Sequence, residues 1–486
     1  MISQNHMKKT TSKKGKYPVH VKFGGKILIV GFGSIGQGVL PLIFRHIGIE
    51  RKNVKIITAA PLGREIARKE GITFEINPLT KQNYKKILDK ELSPGDFLLN
   101  LSVEVSSIDL IKYCRERDIL YLDTVVEPWI GGYTDPKLTV SQRSNYGLRE
   151  TLLELKRKSG AGPTAVSCHG ANPGIVSHFV KQGLLNIAKK IDQPTDAPTT
   201  REGWAALMKK LGVKVVHVAE YDSQVASTPK KIGRFENTWS VNGFHSEGLC
   251  QPSEMGWGTH EKQLPKGGMR HTYGCDAAIY LDRPGARVLV RTWTPLHGPF
   301  LGRAVTHNES VSIADYFSVK TGKKTTFRPT VHYAYRSCDA SILSIEECFG
   351  KASVIQKEER ILMDEITTGM DELGVLLMGD KHGAYWYGSQ LTIEETRKIA
   401  PYQNATGLQV TAGALGGMIW AMENPRAGIV EADEIDFKRI MDIITPYMGK
   451  MTGAFSDWTP LKSADLSFNA DIDKKDPWQF KNFLFS

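Results

Sequence analysis

Cysteine is scarce: six in 486 residues, with no CxxC pair among them. That pattern excludes zinc-ribbon and thioredoxin-type sites. Cys114, Cys168, Cys250, Cys275, Cys338 and Cys348 are expected as buried, reduced thiols in a reducing compartment. Also missing is any apolar run of the roughly 18–20 residues that a spanning helix needs, and no apolar segment follows the first lysines. The expectation is a cytosolic protein without a membrane partner. There is no internal repeat. His169, His245, His260, His271 and His297 lack a tight ligand spacing, so no metal is expected. Acidic residues are absent from the start of the chain, where Lys8, Lys9, Lys13, Lys14, Lys16, Lys22 and Lys26 collect seven of the charges behind the formal +11. The remainder carries only +4. Residues 1–20 therefore read as a disordered Lys-rich tail, and no nucleic-acid partner is expected.

What is present is ordinary globular composition, 41% hydrophobic and 24% charged, on a chain too long for one compact core. Two domains are expected. The stretch KILIVGFGSIGQGVL at 26–40 passes from an apolar β-branched run into Gly31, Gly33, Ser34, Ile35 and Gly36, and then into a helical pattern. Strand, tight turn and helix in that order make a dinucleotide site: one glycine reverses the chain, one admits a pyrophosphate, one lets the helix lie close. Further strands are predicted at 54–58, 72–76, 96–101, 119–125 and 164–167. Helices are predicted at 63–70, 81–92, 106–117 and 141–159. This alternation predicts an α/β fold with a Rossmann doubly wound parallel sheet, whose ligands lie at the carboxyl ends of the strands. Pro41 is expected to kink the first helix or to begin a second turn. Thr58, Ala59, Asn100 and Asp123 end strands beside the expected cofactor. An acid for the ribose is missing at Thr58-Ala59-Ala60, and Arg64 lies near enough in sequence to meet a 2′-phosphate, so these residues leave NAD and NADP open.

Glu104 and Glu127 follow the next strand ends and suit a cationic substrate; helix capping and a surface loop are their bland alternatives. Asn172, before Pro173, offers either a fixed amide beside the cleft or a helix N-cap. Beyond residue 175 the alternation lapses into β-like stretches at 213–224, 237–244, 287–294 and 331–336, which predict a second, mixed-sheet domain for substrate contacts and dimerisation. Residues 192–201, DQPTDAPTTR, read as a loop, and 410–422 as a small-residue helix made for close packing. The expected divisions are 21–170, 171–409, and a helical segment at 410–486 packing back on the first domain.

The strings HGANPG at 169–174, HVAEYDSQ at 217–224, NTWSVNGFHSEG at 237–248, MGWGTHE at 255–261, GMDELGVLL at 369–377 and AYWYGSQL at 384–391 resemble the bacterial homospermidine synthases, over nearly all of the chain after the tail. That family is similar in fold to saccharopine dehydrogenases. The resemblance implies a redox-neutral condensation of two putrescine molecules to homospermidine with loss of ammonia, NAD as a recycled hydride carrier, and a homodimer. It further implies acidic substrate contacts at Glu220 and Glu247, completed by Glu104 and Glu127, and a ring at Trp239 facing the cationic substrate. Asn172 would orient the amine, and His307 and Asp371 would supply pocket polarity and proton transfer. The alternative is an NADP-dependent imine reductase such as carboxynorspermidine or saccharopine dehydrogenase, which should place Arg or Lys where this chain has Glu220 and Glu247. A binding protein that has lost catalysis is a further one.

Overall fold

The computed structural model describes residues 17–400, 402–462 and 472–485. Of the tail expected over 1–20, residues 1–16 lie outside the described residues. Residues 17–20 are not loose: the His20 N–H donates to the His46 carbonyl (2.8 Å), and His46 Nδ1 lies 2.8 Å from the Pro18 carbonyl. A buried imidazole needs partners, and this segment supplies one.

Chain order begins β1 (Ile27–Val30), α1 (Ser34–His46), β2 (Val54–Thr58), β3 (Thr73–Ile76), β4 (Phe97–Asn100), α2 (Ser107–Glu116), β5 (Leu120–Asp123), α3 (Asn145–Ser159) and β6 (Gly162–Ser167). The six strands are parallel and lie in the order β3-β2-β1-β4-β5-β6. All four side chains of β1 are buried because successive residues face opposite cores: Ile27 and Ile29 join one apolar cluster, Leu28 and Val30 another. Pro41 lies inside α1, which runs on to His46. Burial of Val39, Leu40, Leu42 and Ile43 around it offsets the lost backbone hydrogen bond.

The second domain follows with α4 (Ile175–Lys190), β7 (Val213–Asp222), β8 (Pro252–Gly256), α5 (Asn308–Tyr316), β9 (Thr330–Arg336), β10 (Met370–Gly379) and β11 (Gly383–Thr392). Its sheet is mixed, running β8-β9-β7-β10-β11 with β7 and β9 parallel and the other neighbours antiparallel. Residues 237–244, expected as a strand, divide instead. Arg234–Asn237 is a short strand, and Val241–Phe244 is a helical turn started by Ser240, whose hydroxyl accepts the Gly243 N–H. Capping overrides the β-like pattern there.

The segment expected to be helical from 410 is shared between both domains. Helix α6 (Ala405–Glu423) is buried nearly all round. Its small residues permit this: a Cβ on Gly413 would meet the Gly170 carbonyl oxygen at 2.0 Å. Next comes β12 (Ala427–Glu431), which pairs in parallel with β6 as a seventh strand of the first sheet, and then β13 (Lys450–Ser456), which pairs with β11 in the second. Among the described residues no helix is long and apolar enough to cross a membrane. The six cysteines are free thiols, with Cys250 and Cys275 only half-buried.

Candidate functional site

At the glycine turn, Gly31 has φ +87°, and a Cβ there would stand 2.8 Å from the backbone of Leu101 and Ser102. Only glycine brings β1 and the β4 loop this close. A Cβ on Gly33 would meet nothing within 4 Å, so the space above the turn is open. Gly33 caps α1 without a side chain, and the first turn holds no acid. The orphan N–H groups of α1, flanked by Ser34, Ile35 and Gly36, are therefore available to an anion such as a pyrophosphate.

The neighbouring strand ends behave differently. The Thr58 carbonyl accepts the Asn77 N–H (2.9 Å), and Ala59 is exposed. Arg64 is exposed, its guanidinium over the Phe74 ring. Asn100 and Asp123 are turned inward: Asn100 Nδ2 donates to the Tyr121 hydroxyl (3.2 Å), which donates to Asp123 Oδ2 (2.8 Å), while Asp123 Oδ1 accepts the Cys168 N–H (2.7 Å). Expected at the cofactor, these two side chains stitch β4, β5 and the end of β6 together.

A cluster of acids faces the same region. On β7, residues two apart point to one side, so Glu220 and Asp222 both continue the buried face that packs toward α4, while Tyr221 stacks on His297 at the other face. Asn172 is half-buried, and its Nδ2 donates to Glu220 Oε2 (2.9 Å) rather than capping α4, whose N-cap is Gly174. The Tyr333 hydroxyl donates to that same oxygen (2.6 Å). Asp371 lies on β10 against β7, with Oδ2 accepting the Thr406 hydroxyl (2.5 Å). Burial raises the Glu220 carboxyl to about 7, Asp222 adding to the effect, and raises Asp371 well above its ordinary value, with Glu220 next among the causes. Burial and the repulsion of neighbouring carboxylates thus favour the protonated form of both groups.

His307 stands between two further acids, Nε2 3.0 Å from Glu247 Oε2 and Nδ1 3.3 Å from Glu309 Oε1. Burial pushes the imidazole down, but the paired carboxylates outweigh it and hold the ring cationic well above its ordinary value. Glu247 sits in a π-helical turn, His245–Cys250, a geometry frequent at functional sites. Trp239 is half-buried, its ring 6.4 Å from that of His307, and its indole N–H donates to the Tyr335 hydroxyl (3.1 Å). Glu127 and Glu104 meet at the edge, where the Glu104 N–H donates to Glu127 Oε2 (3.2 Å) from a left-handed backbone with φ +58°. Ser106, not Glu104, caps α2. The glycine turn and the acids are joined by the start of α6: Gln403 Nε2 donates to the Ser34 carbonyl (2.6 Å), and three residues on is Thr406 on Asp371.

Comparison with known proteins gives this arrangement its family. Residues 27–166 match the saccharopine dehydrogenase NADP binding domain, and 170–456 the saccharopine dehydrogenase C-terminal domain. A homospermidine synthase of Blastochloris viridis is 51% identical over 473 residues, covering 96% of this chain and 99% of that protein. The chain belongs to the homospermidine synthase family. Another member, from Mesorhizobium japonicum, is 50% identical over 475 residues, covering 96% and 98% of the two chains. The crystal structure of the homospermidine synthase from Legionella pneumophila, in complex with NAD, has a TM-score of 0.89 and 45% identity over 96% of this chain and 98% of that one.

Tyr333, Tyr335, Asp222 and Glu309, which sequence reasoning passed over, lie against the predicted site residues. Period-2 alternation in VHYAYR puts both tyrosines on one face, and Asp222 shares the face of Glu220 at the same spacing. Among the described residues, no group of three or more His, Cys, Asp or Glu side chains is arranged to hold a metal ion.

The edge acid gives a stability test. Burial raises the Glu127 carboxyl to about 8, with Glu247 and Glu104 adding to it. A carboxyl raised in the folded state binds more protons there than in the unfolded chain, so stability falls as pH rises from about 4.5 to about 8. Glu127→Gln is expected to stabilise the ligand-free protein by roughly 2 kcal/mol or more at pH 8.5 and to change it little below pH 4.5. Denaturant titrations at the two pH values check this; equal shifts at both would disprove the charge effect.

Proposed function

We propose that the chain makes homospermidine from two putrescine molecules with release of ammonia, using bound NAD that it regenerates within each turnover. The observation that carries this reading is the chain of contacts that links Glu220 through Tyr333 to His307, and His307 to Glu247 and Trp239, with Asp371 bonded to Thr406 one helical turn from the residue that meets the glycine loop. Gly31, Gly33, Ser34, Ile35 and Gly36 would hold the pyrophosphate, because Gly33 leaves the space and α1 leaves the donors. When bound, NAD supplies an acceptor for hydride from the carbon bearing a putrescine amine and later returns it.

The protein's own groups do the rest. An amine must lose a proton before it can give up hydride or attack an imine, and Glu220, buried beside Asp371, is placed to take it. Asn172 fixes the carboxylate that receives it. Glu247 carries negative charge toward a second nitrogen, while His307, charged between two acids, keeps that part of the cleft from becoming excessively anionic. Trp239 presents an indole face to the cationic chain, an attraction of roughly 2 kcal/mol when desolvated that leaves protons in place. Glu127 and Glu104 would receive the outermost ammonium.

An imine reductase acting on a carboxylated substrate fits less well. Among the described residues, no lysine or arginine nitrogen lies within ion-pair distance of Glu220, Glu247 or Asp371. We also propose a homodimer built through the second domain, and a cytosolic location. Incubation with putrescine and substoichiometric NAD is expected to yield homospermidine and ammonia in equal amounts, without net NADH. Stoichiometric NAD(P)H turnover with an amino or keto acid, or tight NAD binding without product, would overturn the proposal.

A further inference from the structure

Strand β9 alternates, and two residues on its inner face, Tyr333 and Tyr335, link Glu220, His307 and Trp239. Tyr333 is buried, and its hydroxyl lies 2.6 Å from Glu220 Oε2. Its ring packs 4.4 Å from the His307 ring and is stacked on Tyr335 at 5.2 Å, with an interplanar angle of 9°. Tyr335 in turn receives the Trp239 indole N–H. A donor at each of two acids would be unremarkable in a buried polar cluster. Here, however, two donors, Tyr333 and Asn172, converge on one oxygen of one carboxyl. The Asn172 amide nitrogen can only donate, and the phenol stays protonated, since burial and then Glu220 raise it well above its ordinary value. Oε2 is thereby filled as an acceptor, and a proton carried by Glu220 is left to Oε1.

We infer that Tyr333 is a positioning residue for the reaction: its hydroxyl, with Asn172, fills Glu220 Oε2 and reserves Oε1 for the amine proton, while its ring holds His307 against Glu247. This rests on Glu220 being the proton acceptor. The groups facing Glu220 are Asp371 from β10, Asp222 on its own strand, His307 ahead of α5, Tyr333 from β9 and Asn172 after β6. Asp222 disfavours its ionised form, Tyr333, His307 and Asn172 favour it, and Glu220 in turn raises Asp371. Removing the Tyr333 hydroxyl takes away a donor to the carboxylate, so Glu220 should ionise at higher pH. A lost hydrogen bond to a charged group corresponds to roughly one pH unit.

The test is the pH profile of kcat/KM for putrescine in the NAD-loaded enzyme, with calorimetric proton uptake on putrescine binding as the second readout. Tyr333→Phe is expected to move the acid limb up by about one unit, to lose roughly tenfold at pH 6, and to recover to within about twofold at pH 9. Tyr335→Phe is the comparison: it lowers activity through Trp239 but leaves the limb where it is. Tyr333→3-fluorotyrosine, nearly isosteric and a stronger donor, should move the limb down and keeps the test available if the phenylalanine variant does not fold. A uniform loss at all pH values, with unchanged proton uptake, would overturn the role of Tyr333. If Glu220→Gln itself keeps the wild-type profile, it is the assignment of Glu220 that fails.

Discussion

Replacing Glu220 with glutamine is expected to lower kcat for homospermidine formation by roughly 10²–10⁴, the range removed with a general base. The substitution is as small as chemistry allows. The glutamine carbonyl oxygen can still accept from Asn172 and Tyr333, and its amide can donate to Asp371, whose Oδ1 has no partner. Fold and NAD affinity should therefore persist. What disappears is a carboxyl whose proton affinity, raised to about 7 by burial, sits near working pH, where it can both take and give up a proton. Wild-type kcat/KM should fall below about pH 7 as Glu220 is protonated; the variant should lose that limb together with its rate. Product measured by chromatography, with melting temperature and NAD titration as controls, decides the matter. A loss under tenfold would move the base to another residue, with Asp371 the first to examine.

Why Glu220 could be chosen from sequence, and Tyr333 could not, shows how far a linear reading reaches. The parallel sheet was legible because β1 advertises burial on both faces through an unbroken apolar run, and because the glycine turn carries its own stereochemistry. Local signals of that kind are strong. The seventh strand, Ala427–Glu431, was not legible: it returns to the first sheet after more than 250 residues, and nothing near it in sequence says where its partner lies. The same holds for Asn172. Its neighbours offered either a fixed amide beside the cleft or a cap, but not the partner of that amide, Glu220, 48 residues away. Asn100 and Asp123 were placed by the rule that ligands lie at strand ends, yet a hydroxyl from Tyr121, an inward residue on the same sheet, claims both side chains. The resemblance to a family supplied the acids, since those carry its chemistry. It did not supply the tyrosines behind them, whose hydroxyls meet Glu220 Oε2 and the Trp239 indole N–H. Capping at Ser240 turned an apparent strand into the helical turn that leads to Glu247.

The second large effect lies at the junction of the two domains. Arg149 on α3 is almost wholly buried and reaches both oxygens of Glu431 on β12, at 2.7 and 2.8 Å, while it also donates to Asp315 Oδ2 on α5 at 3.1 Å and to Cys275 Sγ at 3.6 Å. Asp315 is also held by Arg201 (3.0 Å), so α3, β12 and α5 meet around one guanidinium. In water-free surroundings the attraction between such partners is largely spent in offsetting their desolvation, so the intact cluster adds little net stability. Breaking it is another matter. Arg149→Met keeps the volume but leaves Glu431 and most of Asp315 buried without their cation, and the expected cost is about 3–5 kcal/mol in denaturant unfolding. Because α5 begins next to His307 and contains Glu309, the damage should also reach catalysis, raising KM for putrescine more than it weakens NAD binding at the distant glycine turn. Replacing all three charged residues together, Arg149→Met with Glu431→Gln and Asp315→Asn, should recover most of the lost stability, because no buried charge is then stranded: Arg201, which loses Asp315, is partly exposed and keeps the Tyr316 carbonyl. A triple variant as unstable as Arg149→Met would mean that the junction is held by the shape of the guanidinium and its hydrogen bonds rather than by the balance of charge.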